Sequence, residues 1–138
     1  MRIAALIALL AVVGCGTGAS APAAGSSGAS DLKISYWPKG LESGAPHKWT
    51  LKCAPAAGTL AQPGVACRKL LGMQKPFAPI PADAMCTDVY GGPQVAVISG
   101  TFRGNRLWAK LQNRNGCEIA RFRRLSFLVP GFGTGSEA

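Results

Sequence analysis

Leu32, Ile34 and Tyr36 alternate with Lys33 and Ser35, the period-two pattern of a strand with one buried face. Trp49, Leu51 and Cys53 repeat the pattern against Thr50 and Lys52, and residues 95–98 form a short apolar run. Leu107, Ala109 and Leu111 alternate again after a Gly104-Asn105 turn signal, which predicts a hairpin. Residues 125–129 are a last strand candidate. Helical spacing appears at Cys67, Leu70 and Leu71, with Gly64 before and Gly72 after as end signals. Pro76, Pro79 and Pro81 argue against a long helix over residues 75–83. The pattern predicts an α+β domain, an antiparallel β-sheet with one or two short helices on one side. No internal repeat is visible.

The N-terminus follows a different logic. After Met1-Arg2, residues 3–13 form an apolar run too short to span a bilayer but suited to the h-region of a secretory signal. Val12-Val13-Gly14-Cys15 ends it and resembles a bacterial lipobox, in which the signal is cleaved before a cysteine that becomes lipidated. Residues 16–30 contain only Gly, Ala, Ser, Thr and Pro, none able to build a core, which predicts a flexible tether. Random-coil scaling gives such a segment a reach of about 20 Å. The expected organisation is a lipoprotein signal over 1–14, lipidated Cys15 and linker over 15–30, a folded domain over 31–132 and a loose tail over 133–138. The mature chain would sit on the outer side of the bacterial cytoplasmic membrane, where disulfides form.

The 138-residue chain carries 15 basic and 6 acidic residues. Removing Arg2 with the signal leaves 14 against 6, a formal +8. Seven bases crowd the C-terminal half: Arg103, Arg106, Lys110, Arg114, Arg121, Arg123 and Arg124. Such a surface attracts polyanions, but no nucleic-acid motif accompanies the charge, and solubility and membrane proximity are the simpler reading. Enzyme classes find little support. The lone His47 sits in a Gly/Pro-flanked loop, and the six acids form no recognisable catalytic pair. CxxC, HExxH and Gly-rich phosphate-loop motifs are absent, so neither a cofactor nor a metal is expected.

Beyond Cys15 the chain has four cysteines, Cys53, Cys67, Cys86 and Cys117, which allow three disulfide pairings that spacing alone cannot separate. Their surroundings are more informative. Trp49-Thr50-Leu51-Lys52-Cys53-Ala54-Pro55, then Gly58-Thr59, Pro63, Ala66-Cys67 and Leu70, then Met85-Cys86-Thr87-Asp88-Val89-Tyr90, and lastly Gly100, Gly104, Arg106 and Asn115-Gly116-Cys117 together resemble the subtilisin inhibitors of Streptomyces and their relatives. The resemblance implies pairing Cys53 with Cys67 and Cys86 with Cys117. It implies a reactive loop of Cys86, Thr87 and Tyr90 around a scissile Asp88–Val89 bond, supported from beneath by Asn115. It further implies a homodimer joined through the sheet and an extracellular serine protease as partner.

Two departures stand out. Asp88 occupies the position where such inhibitors place Met, Lys or Arg, which favours a Glu/Asp-selective enzyme over a subtilisin-like one. Gly91-Gly92-Pro93 replaces an acidic residue followed by Pro, and two glycines are expected to loosen the leaving side of the loop. The alternative reading is a non-inhibitory cell-surface binding module on the same fold, using its basic face.

Overall fold

The computed structural model describes residues 29–133. The signal over 1–14, Cys15, most of the linker and nearly all of the tail lie outside the described residues. Four strands form one antiparallel sheet: β1 (Ser30–Trp37), β2 (His47–Cys53), β3 (Val95–Phe102) and β4 (Asn105–Gln112), in spatial order β2-β1-β3-β4. Two helices, α1 (Pro63–Leu71) and α2 (Gly116–Arg124), and a 3₁₀ turn (Ser126–Leu128) complete the fold. The arrangement is the α+β architecture that the alternation predicts.

The alternating residues lie where their chemistry sends them. Leu32, Ile34 and Tyr36 of β1, Leu51 and Cys53 of β2, Ala96 and Ile98 of β3, and Ala109 and Leu111 of β4 are all buried on one face. Ala66, Cys67 and Leu70 of α1 and Phe122 of α2 close this core from the helix side. Phe122 meets Tyr36 edge-to-face at 6.5 Å and stacks on Phe132 at 4.0 Å, tying α2 to β1 and to the C-terminal end. Leu71, which the helical spacing groups with Leu70, is exposed.

The opposite face of the sheet is largely polar except at one end, where Trp37, Val95 and Gln112 lie in register, and the pairing lays the rest out in rows. Lys52, Asp31, Thr101 and Arg106 form one row across the four strands. Thr50, Lys33, Ser99 and Trp108 form the next, and Lys48, Ser35, Val97 and Lys110 the third.

Three details differ from the sequence reading. The domain begins before Asp31. Ser30 is buried in β1, its Oγ accepts from the Arg103 N–H at 3.2 Å, and the Ala29 carbonyl accepts from the Gly104 N–H. The hairpin turn is Arg103-Gly104, since Phe102 pairs with Asn105 and both turn residues have positive φ, 49° and 79°. Residues 125–129 form no strand. Leu125, Leu128 and Val129 are all buried at i, i+3, i+4 spacing, a helical period that winds the segment into the 3₁₀ turn.

Candidate functional site

Disulfides join Cys53 to Cys67 and Cys86 to Cys117, the latter with Cα atoms 5.3 Å apart. The first bridges the end of β2 to α1 within the core. The second ties an irregular loop to the first turn of α2. That loop leaves the proline-containing strap over residues 75–84 and returns to the sheet at Val95.

Its ends are held by one short segment, the chain between β4 and α2. On the entering side, Cys86 is bonded to Cys117 and the Thr87 carbonyl accepts from the Gly116 N–H at 2.9 Å. On the leaving side, the Gly91 N–H donates to the Asn113 carbonyl at 2.7 Å. Asp88, Val89 and Tyr90 lie between these anchors and are exposed, Val89 at 52% and Tyr90 at 68%. Within the span, the Val89 N–H reaches back to the Thr87 carbonyl at 3.0 Å, a tight local turn. Asp88 takes part in no ion pair among the described residues; Lys52 and Asp31 form one at 3.4 Å, on the open sheet face. The arrangement is three accessible residues on a frame pinned on both sides.

Asn115, expected to support the loop, caps the second helix. Its Oδ1 accepts from the Glu118 N–H at 3.0 Å, capping α2. Glu118 in turn accepts from the Arg114 N–H and from Gln112 Nε2. The hydrogen bond from this segment to Thr87 comes instead from the backbone of Gly116, which Asn115 places at the helix start. The pattern Asn115-x-x-Glu118 is a helix-start signal, and it would have announced α2 from the sequence.

Asn113 is the residue that sequence reasoning missed. It is 3% exposed, its carbonyl holds Gly91, and its Nδ2 donates to Gln94 Oε1 at 3.1 Å. Its Oδ1 is buried with no hydrogen-bond partner among the described residues. Nothing in a polar Asn-Arg-Asn run marks the first Asn as the buried one; only its place directly after β4 does.

The two glycines fill fitted positions rather than slack ones. A Cβ on Gly91 would lie 2.8 Å from Ile119 Cδ1 and 3.1 Å from Asn113 Cβ. Gly92 has φ +118°, a region that side chains avoid, and a Cβ there would run into the Gln94 amide. The loop's return path is therefore set by close packing against α2 and Asn113.

The strap leading into the loop is held by arginines. Arg121 donates to the Ala78 carbonyl through Nε, to Phe77 through Nη2 and to Lys110 through Nη1, at 2.9–3.2 Å. Burial and the neighbouring Arg124 lower its pKa, with Glu118 opposing. Arg103 donates to the carbonyls of Leu71, Met73 and Gln74 at and just after the end of α1. Arg124 reaches the Pro76 carbonyl. Prolines lack N–H groups to fold this stretch on itself, and guanidinium forks take up the carbonyls instead.

Against known protein families, residues 28–115 match the model described as subtilisin inhibitor-like, a range that includes the loop and stops before Cys117. Among solved structures, the chain is similar to Streptomyces caespitosus sermetstatin, whose structure is in complex with Bacillus licheniformis subtilisin. The two share 21% identity at a TM-score of 0.50, over 75% of this chain and 99% of that one. At that identity the likeness speaks for the fold. No curated protein matches the chain.

Proposed function

The chain belongs to the subtilisin inhibitor-like family, and from that premise we propose that it is a non-enzymatic inhibitor of an extracellular serine protease, presenting Asp88–Val89 as its reactive bond. The observation that carries this reading is the frame around the exposed residues. Cys86, Thr87 and Gly91 are each fastened to the segment over residues 113–117, and Asp88, Val89 and Tyr90 project between them.

The physical consequences follow from that frame. A preformed loop loses little conformational entropy when it enters a protease cleft, so binding keeps most of its contact energy. The catalytic serine attacks the Asp88 carbonyl as it would a substrate's. Were the bond cleaved, the Val89 amine would stay close to the acyl carbon. The entering side is held by the disulfide and the Gly116 bond, the leaving side by Gly91 and Asn113. Religation then competes with hydrolysis.

Asp88 would fill the protease's primary specificity pocket. Desolvating an unpaired carboxylate in an apolar or acidic pocket costs several kcal/mol, on the order of 2–4 after relaxation. A basic pocket, as in a Glu/Asp-selective enzyme, would pair it. The lipobox-like Val12-Val13-Gly14-Cys15 and the residues after it would hold the inhibitor on the outer membrane face as a surface guard.

Asp88→Met tests the scaffold apart from its pocket residue. The variant is expected to inhibit subtilisin at least ~100-fold more tightly than the unaltered chain, matching the removal of about 3 kcal/mol of desolvation. Rapid cleavage of the variant after the substituted position, without inhibition, would show that the frame does not protect its bond.

A further inference from the structure

We propose that the open face of the sheet is a docking surface for anionic phospholipid headgroups, so that the domain lies with this face on the membrane and its helix layer outward. The proposal does not depend on inhibition, because the face and the loop are built from different residues.

Lys33, Lys48, Lys52, Arg106 and Lys110 all project from this face, and Asp31 is the acid among the three rows. Asp31 pairs with Lys52 at 3.4 Å, leaving the other cations of these rows without an acid beside them on the face. Strands about 4.8 Å apart and same-face residues about 6.8 Å apart along a strand put the five cations on a patch about 14 Å on a side. Between them lie Thr50, Ser35, Ser99 and Thr101, which add hydroxyl groups and little bulk, and Val97, an aliphatic side chain in the third row.

Trp108 borders the patch on β4 and is 67% exposed. An exposed indole favours the headgroup level of a bilayer, where its ring is half apolar and half wet. A spread of cations over β1, β2 and β4 complements a charged surface better than a threaded polymer.

Topology agrees with this orientation. The chain enters the sheet at Ser30, beside the row of Lys52 and Arg106. Gly91 bonds to Asn113, just past the other end of β4. Strands of eight residues separate the two ends by about 23 Å. α1 and α2 cover the opposite, buried face. A domain lying on its open face would thus turn α2, to whose first turn the loop is fastened, away from the lipid. The 14 residues between Cys15 and β1 are enough to allow the contact.

A second copy of the chain is the main rival occupant. Two such faces stacked about a two-fold axis would bring ten cations together, a like-charge contact without acids enough to offset it.

The test uses the chain from residue 16 onward, which carries neither the apolar run over residues 3–13 nor an acyl chain, and measures partitioning onto vesicles of mixed phosphatidylglycerol and phosphatidylcholine. Binding is expected at low salt, absent on pure phosphatidylcholine and lost as salt rises. Lys33→Gln with Lys110→Gln should weaken it about 25-fold, from roughly fivefold per basic residue at a charged surface. Arg68→Gln with Arg123→Gln removes the same charge from the helix layer and should weaken it less than about threefold. Equal losses in the two double variants would overturn the proposal, since only net charge would then matter. So would a lack of binding by the parent chain, retention on anionic wall polymer but not on vesicles, or a stable dimer in which Trp108 is protected.

Discussion

At Gly91 two opposed effects of a methyl group can be separated by magnitude. If the glycine were merely slack, Gly91→Ala would stabilise the protein by about 0.4–1 kcal/mol, by narrowing the unfolded ensemble. In the structure a Cβ there meets Ile119 at 2.8 Å and Asn113 at 3.1 Å, so overpacking should dominate and cost about 1–3 kcal/mol. Urea denaturation of Gly91→Ala is expected to show the loss, and Ile119→Ala, which removes both Cδ1 and Cγ1, should cost less in that variant than in the parent chain. A net gain in the single variant would restore the slack reading. The residue scale is also where the sequence is least legible. A pair of glycines reads as looseness until the neighbour is known, and that neighbour, Ile119, lies 28 positions away on an element the hydrophobic pattern does not announce. Arg121 reads with the other bases as surface charge, whereas its guanidinium holds three carbonyls. Spacing cannot show which arginines face carbonyls.

Elements are legible in proportion to how cleanly one face is buried. β1 alternates from Leu32 to Tyr36 with every odd position polar, and both its existence and its face follow directly. The second helix escapes the hydrophobic pattern because only Phe122 among its residues is fully buried, so no apolar stripe marks it. Its signal is polar instead, an Asn cap with Glu three residues on, and basic residues in its last turn where the helix dipole favours them. This element positions Gly116 and Cys117, and the loop is only as well placed as its first turn. Asn115→Ala should cost about 1 kcal/mol of global stability through the lost cap. It should also speed cleavage of the Asp88–Val89 bond by any protease that engages it, since the Gly116–Thr87 contact rests on that turn. Asn115→Asp, which keeps the capping oxygen, should behave like the parent chain. If Asn115→Asp instead matched Asn115→Ala in cleavage rate, the amide itself would be acting on the loop.

For the whole molecule, the division of labour runs between the two faces of one sheet. The buried face and its helices carry the loop on a bed that pins it at Cys86, Thr87 and Gly91. The open face carries most of its charge in one sign. The family resemblance points to the loop, because cysteines and their neighbours carry it in the chain itself. The charge pattern points only to a basic half, because rows across a sheet exist only once the register is known. Inhibition through Asp88–Val89 is tested most directly by incubating the full chain with a Glu/Asp-selective serine protease and following residual protease activity and the mass of the chain together. Protease activity is expected to be lost while the chain stays largely intact, with any nick confined to Asp88–Val89 and stopping short of completion. Full protease activity, or rapid and complete cleavage of the chain, would contradict inhibition through that bond.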